Sequence, residues 1–276
     1  MQNKWRMLDR YRVLREIGRG AMGTVFEAVD GASGDRVAIK ILQNTLKANP
    51  VARQRFRREV EAASQIDHPV IIRIRDWGED ADQTYIVMEF VDGQPLSKLL
   101  SPIAPFPPAT TVRIVHQVAA GLASVHRAGL VHRDVKPDNI MVLKDMAVKL
   151  SDFGVAKLPN SSLTQAGELW GTLQYMSPEQ VQGRLDIDGK SDIFSLGIVL
   201  FEMLTCKRPF DGFGAEVIQS IIEGRAPRVS TVRPEIPEVF DFIVARALAK
   251  NPEDRFGDCD EFAQALKSAM PNLRLG

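Results

Sequence analysis

Cysteine is scarce in this chain: only Cys206 and Cys259 occur in 276 residues. Two thiols so far apart form neither a disulfide framework nor a metal-ligand spacing, which fits a reducing cytosol and leaves both as small buried or partly exposed side chains. An excess of either charge is also lacking, because Lys plus Arg and Asp plus Glu each number 35. With that balance nothing points to bulk nucleic-acid binding or to a polybasic membrane surface, so recognition must rest on local charge. Long hydrophobic runs are missing too. The longest, Ile193 to Leu204, contains Glu202 and falls well short of the roughly 20 residues a membrane-spanning helix needs. It reads as a helix buried on nearly all sides. The polar stretch Met1 to Asp9 lacks the apolar centre of a signal peptide. There is no internal repeat and no low-complexity tract, and the absence of a G-x-x-x-x-G-K-[ST] loop excludes a Walker-type ATPase.

What is present suffices for a substantial core, with 45% hydrophobic residues in a chain long enough for one large domain or two lobes. The first ninety residues read as β-rich. Tyr11 to Ile17, Thr24 to Val29 and Arg36 to Leu42 are predicted strands around a loop at Gly18 to Gly23 and a turn at Gly31 to Asp35. Asn49-Pro50 supplies an N-cap and first-turn proline for a helix to about Ile66, with Phe56, Val60 and Ala63 on its apolar stripe and Glu59 one step away. His68-Pro69 breaks it, and Val70 to Trp77 and Thr84 to Phe90 read as further strands. From Pro107 the pattern turns helical, with Val112, Val115, Ala119 and Leu122 at helical spacing until Gly129. Ile140 to Leu143 and Ala147 to Leu150 form a predicted hairpin turning at Lys144-Asp145. Val155 to Ser177 is an unpatterned polar loop of the length usually tied to function. Helices are predicted over Asp192 to Thr205, Ala215 to Glu223, Val239 to Lys250 and Asp258 to Met270.

The chemistry concentrates in His132-Arg133-Asp134-Val135-Lys136-Pro137-Asp138-Asn139 and, beyond the hairpin, Asp152-Phe153-Gly154. Together they offer a carboxylate to accept a proton, a lysine to hold a phosphate and two oxygen ligands for magnesium, which is a phosphoryl-transfer set. The hairpin brings Asn139 and Asp152 side by side. Gly18, Gly20 and Gly23 fit G-x-G-x-x-G, a spacing that also marks dinucleotide-binding turns. Those turns open a helix, whereas Thr24 to Val29 is β-branched and aromatic, giving a strand-loop-strand flap whose amides can cover phosphates. In Val37-Ala38-Ile39-Lys40 a lysine ends an apolar strand. Burying it requires an anion, and Glu59 is the candidate.

Glycine loop, Val-Ala-Ile-Lys, helix glutamate, His-Arg-Asp, Asp-Phe-Gly and Ser177-Pro178-Glu179 stand in an order and spacing that resemble the eukaryotic-like protein kinase superfamily, specifically its bacterial Ser/Thr branch, from Tyr11 to about Ala269. The resemblance implies an α+β, two-lobed protein kinase fold. A small β-rich N-lobe with one main helix would span 11–90 after an N-terminal extension, 1–10. A larger, mainly helical C-lobe would span 91–270, with the hinge near 89–93, the activation segment at 152–179 and a tail at 271–276. The implied activity is transfer of the γ-phosphate of ATP, with Mg²⁺ or Mn²⁺, to Ser or Thr hydroxyls of protein substrates.

Carried over residue by residue, Asp134 resembles the catalytic base, Lys136 the lysine that neutralises the migrating phosphate, and Asn139 and Asp152 the metal ligands. Lys40, held by Glu59, would reach the α- and β-phosphates beneath Gly18, Gly20 and Gly23. Ile17, Val25, Ala38 and Met141 would sandwich adenine, with Met88 as gatekeeper, the backbone of Glu89 and Val91 as hinge contacts and Asp92 at the ribose. Lys136 and Gly171-Thr172 imply a Ser/Thr acceptor, with Thr172 bonded near Asp134. Glu179 would form a buried ion pair with Arg255, and Asp192 would hold the backbone of the catalytic loop. Arg133 would contact a phosphate on an autophosphorylated loop, at Thr164 first and Ser162 or Ser161 next. Val135 and Ser177 depart from the commoner leucine and alanine. Ala166 occupies the place of a second loop threonine, so double phosphorylation at that spacing is not expected, and Trp170 adds an apolar surface to the substrate platform. The resemblance further implies association through the N-lobe as a homodimer, and a cytoplasmic location, free or as the cytoplasmic catalytic domain of a membrane-anchored protein. Two rivals remain: a small-molecule kinase of related fold, which would lack the Ser/Thr-rich loop ending in Ser-Pro-Glu, and a nucleotide-binding scaffold that transfers nothing.

Overall fold

The structure, a computed structural model, describes residues 7–20, 23–42, 50–80, 83–101, 104–152, 173–212 and 214–271. Packing divides them into a smaller unit, up to Asp92 but without 68–70, and a larger unit from Gly93 onward that includes 68–70.

The smaller unit is an antiparallel sheet with one helix. Its strands are β1 (Met7–Leu8), β2 (Tyr11–Gly20), β3 (Gly23–Asp30), β4 (Arg36–Leu42), β5 (Ile74–Asp80) and β6 (Gln83–Glu89), in the order β1-β2-β3-β4-β6-β5. Alternation along these strands sorts the side chains onto two faces. Val37, Ile39 and Ile41 of β4 join Tyr11, Phe26, Ala28, Tyr85 and Val87 in one buried cluster. On the opposite face the register pairs Lys40 with Val25 and Ile86, and Ala38 with Glu27 and Met88, so Val25, Ala38, Lys40 and Met88 share a surface. β2 and β3 continue closer to the hairpin tip than the sequence suggests, pairing Gly20 with Gly23. Gly23 sits at φ +151°, where an added Cβ would lie 2.1 Å from the Ile41 carbonyl oxygen, so no other residue fits. The helix α1 (Pro50–Ser64) packs on β5 through Phe56, whose ring meets Trp77 edge-on at 6.3 Å.

The run from Val70 looks like a strand because it is β-branched and apolar, but β5 begins only at Ile74. Val70 is drawn instead to the larger unit, where its carbonyl accepts from the Leu150 amide at 2.6 Å.

In the larger unit a short sheet, β7 (Gln94–Pro95), β8 (Ile140–Val142) and β9 (Val148–Leu150), accompanies the helices. A single turn, α2 (Leu96–Leu99), precedes α3 (Pro108–Arg127), whose Val112, Val115, Val118, Ala119 and Leu122 are fully buried. α4 (Pro178–Val181) leads to α5 (Gly189–Thr205), which is buried along nearly its whole length, including Asp192. α6 (Ala215–Glu223) packs against α4, while α7 (Val229–Val232), α8 (Val239–Ala247) and α9 (Cys259–Ala269) pack against α5. Among the described residues no helix is long and apolar enough to cross a membrane.

Candidate active site

In the smaller unit Lys40 is buried at 8% exposure within the face it shares with Val25, Ala38 and Met88. Glu59 is half-buried on α1, Ile17 is 40% exposed on β2, and Val25 is half-buried. Gly18 and Gly20 contrast with Gly23. A Cβ on Gly20 would meet nothing within 4 Å, and one on Gly18 only Val25 at 4.0 Å. Packing does not demand glycine at these two positions. Glu89 ends β6 with its amide donating to the Arg73 carbonyl at 2.9 Å, followed by half-buried Val91 and exposed Asp92.

In the larger unit the loop after α3 is held from below. Asp192, only 1% exposed, accepts the His132 amide on Oδ2 and the Arg133 amide on Oδ1, both at 2.8 Å. His126 Nε2 reaches the same Oδ2 at 2.8 Å. This fixes Arg133 in the left-handed region at φ +63°, an unusual conformation for a side-chain-bearing residue. The fully buried His132 ring adds a second brace, with Nδ1 accepting from the Asp134 amide at 3.3 Å and Nε2 facing the Ser151 carbonyl at 2.9 Å. Because a carbonyl can only accept, Nε2 carries the proton and the ring is neutral.

These braces present Asp134 beside two partners. Lys136 Nζ lies 3.2 Å from its Oδ2, and Asn139 Nδ2 donates to the same oxygen at 2.9 Å and to the Asp134 carbonyl at 2.7 Å. With the amino end of the Asn139 amide engaged by Asp134, its oxygen is the end suited to a hard cation. Ile140 pairs with Leu150, and the Ser151 amide donates to the Asn139 carbonyl at 2.9 Å, so the hairpin sets Asp152 next to Asn139. Asp152 also has positive φ, +60°. Met141, between them on β8, is half-buried. The donor pair therefore fits a divalent cation that keeps waters and phosphate oxygens as its other ligands.

Beyond the catalytic loop, Glu179 and Arg255 form a two-pronged pair at 2.7 and 2.9 Å, and Asp192 holds the loop backbone, both as expected. Phe153, Gly154, Ser161, Ser162, Thr164, Ala166, Trp170, Gly171 and Thr172 lie outside the described residues, so their expected roles have no geometry here. His126 and Gln180 were not singled out from sequence. His126 sits in the last turn of a helix, where it reads as a C-terminal charge. Gln180 follows Ser177 by three, the spacing of a capping box, which was a usable signal.

Burial pushes the His132 pKa below the ordinary 6.5, against the opposing pull of Asp192 and Asp134. An unfolded chain takes up this proton near 6.5 and the folded one resists it, so stability rises with pH up to that value and is lost as pH falls below it. Thermal unfolding between pH 7.5 and 5 should show this slope, and His132→Phe should flatten it. An identical slope in the variant would contradict the assignment.

A protein kinase domain family model matches residues 11–269. The chain is 40% identical to "Probable serine/threonine-protein kinase PknB" of Lactococcus lactis over 97% of its length and 43% of the relative's. It is 41% identical to "Serine/threonine-protein kinase PknE" of Mycobacterium tuberculosis over 94% of its length and 46% of the relative's. It thus spans less than half the length of these curated relatives. The crystal structure of the Mycobacterium tuberculosis PknI kinase domain matches with a TM-score of 0.78 at 31% identity, covering 95% of this chain and 97% of that one. Sequence motifs and fold agree with these matches, and the chain belongs to the protein kinase family, in its bacterial serine/threonine branch.

Proposed function

We propose that the chain transfers the γ-phosphate of ATP to Ser or Thr hydroxyls of proteins. The observation that carries this reading is the Asp134 carboxylate, held within bonding distance of both Lys136 and Asn139. Asp134 accepts the proton of the acceptor hydroxyl as the hydroxyl oxygen bonds to the γ-phosphorus and the bond from that phosphorus to the β–γ bridging oxygen breaks, releasing ADP, and Lys136 offsets charge on the phosphoryl oxygens. Asn139 and Asp152 are assigned to Mg²⁺, or to Mn²⁺ as the alternative; a bound divalent ion neutralises phosphate charge. Lys40, oriented by Glu59, is assigned to the α- and β-phosphates, and the amides at Gly18, Gly20 and Gly23 to covering them. Ile17, Val25, Ala38, Met88 and Met141 supply apolar surface for adenine, the backbone of Glu89 and Val91 its polar edge, and Asp92 the ribose. The lobes are taken as 11–90 and 91–270, with the activation segment at 152–179.

Loop autophosphorylation belongs to the same reading, at Thr164 or at Ser161 and Ser162, with Arg133 as a phosphate contact. So do association through the N-lobe and a cytoplasmic location. Its test is an acceptor assay with matched Ser, Thr and Tyr peptides and radiolabelled ATP, with and without Mg²⁺. Metal-dependent label on Ser or Thr but not Tyr is the expected result. Nucleotide binding without label on any acceptor would favour the scaffold reading.

A further inference from the structure

We propose that Gln180 positions the catalytic loop, an inference that rests on the kinase reading and adds to it a residue outside the loop. Ser177 is the N-cap of α4, its Oγ accepting from the Gln180 amide at 3.3 Å while Gln180 Oε1 accepts from the Ser177 amide at 2.9 Å. A capping box ends there. Here the other end of the same amide, Nε2, donates to the Arg133 carbonyl at 2.9 Å. The orientation follows from chemistry: turned over, the side chain would set N–H against N–H at Ser177 and oxygen against oxygen at Arg133.

The consequence lies in what the Arg133 carbonyl is attached to. It belongs to the peptide plane whose other end is the Asp134 amide, and that amide donates to His132 Nδ1. Asp192 fixes the plane on the amino side of Arg133, and Gln180 fixes the plane on its carboxyl side. Together they hold both torsions of a residue at φ +63°, a conformation the chain would otherwise leave. Gln180 is itself anchored, because Ser177 Oγ donates to Ser191 Oγ at 3.2 Å, and Ser191 donates to Glu179 of the buried Arg255 pair. A continuous chain of hydrogen bonds thus runs from the ion pair to the peptide that carries Asp134.

Capping and positioning separate by one atom. Glutamate at 180 completes a capping box as well as glutamine does, but it places a carboxylate oxygen against the Arg133 carbonyl. Gln180→Met removes both functions. The experiment compares parent, Gln180→Glu and Gln180→Met for melting temperature, for kcat and KM, and for hydrogen exchange across 130–139. Gln180→Glu is expected to lose less in melting temperature than Gln180→Met, because it keeps the cap, yet to show faster loop exchange and a kcat about 10-fold lower, with KM for ATP unchanged. Gln180→Met should lose in melting temperature as well. A Gln180→Glu protein with parental exchange, or with parental kcat, would overturn the proposal and reduce Gln180 to a helix cap. An inactive parent would strike the kinase reading instead, and the exchange comparison would still decide the link to Arg133.

Discussion

Replacing Asp192 with alanine is expected to remove most of the activity and a large share of the stability together. The carboxylate is 1% exposed and takes three donors: the amides of His132 and Arg133, and the His126 ring. It lies in the first turn of α5, where the helix dipole favours negative charge. Alanine strands one buried and one half-buried N–H group at roughly 1–3 kcal/mol each, so a loss of about 2–6 kcal/mol follows. In a chain of this size that corresponds to a fall in melting temperature on the order of 10 °C. Without these bonds the carboxylate no longer holds the amino side of Arg133 at positive φ, and Asp134 loses its placement, a displacement that costs kcat about 100-fold. Asp192→Asn should fall between, because one amide oxygen can serve one donor while its NH₂ opposes another. Urea unfolding and steady-state kinetics check both parts. An Asp192→Ala protein that keeps parental kcat at parental fold would remove the claim that this frame positions the loop.

Arg255→Lys is the second large effect, although it conserves charge. The Arg255 side chain is fully buried, and each of its five N–H groups has an acceptor: Nε bonds Ala249, Nη1 bonds Glu179 and Lys190, and Nη2 bonds Glu179 and Lys250. The guanidinium also lies 4.9 Å from the centre of the Phe194 ring. Lysine offers three donors from one point and leaves at least two buried acceptors unmatched, a loss of about 2–4 kcal/mol. The pair has a pH signature as well. Burial pushes the Glu179 pKa up, but its bonds to Arg255 and Ser191 outweigh that and hold it below the ordinary 4.5. The stabilisation is therefore complete above about 4.5 and is lost as pH falls through the lower folded value. Arg255→Lys should start its acid unfolding at a higher pH than the parent. Coincident acid transitions would contradict this.

Sequence carried much of this, and where it failed the reasons are physical. The motif from His132 to Asn139 and the hairpin to Asp152 could be placed because period-two alternation fixes which residues flank the turn. The face that Lys40 shares with Val25 and Ala38 was not legible in the same way, because it depends on the register between β3 and β4, which alternation within one strand does not fix. The run Val70-Ile71-Ile72 misled because β-branched residues serve a strand or an unpaired buried segment equally, and only the Leu150 bond to Val70 decides between them. α2 and α7 escaped notice, being four residues each and too short to show a helical period. The bond from Gln180 to Arg133 spans 47 positions and depends on one side-chain orientation, which no local pattern encodes.

Intact-mass spectrometry of phosphatase-treated protein, before and after incubation with ATP and Mg²⁺ alongside Asp134→Asn, tests the central claim most directly. The asparagine keeps the shape of the site but cannot take a proton, so the account predicts stepwise phosphate additions in the parent and a rate lower by about 10³-fold in the variant. Additions at equal rates in both would show that Asp134 is not the catalytic group and would contradict the account.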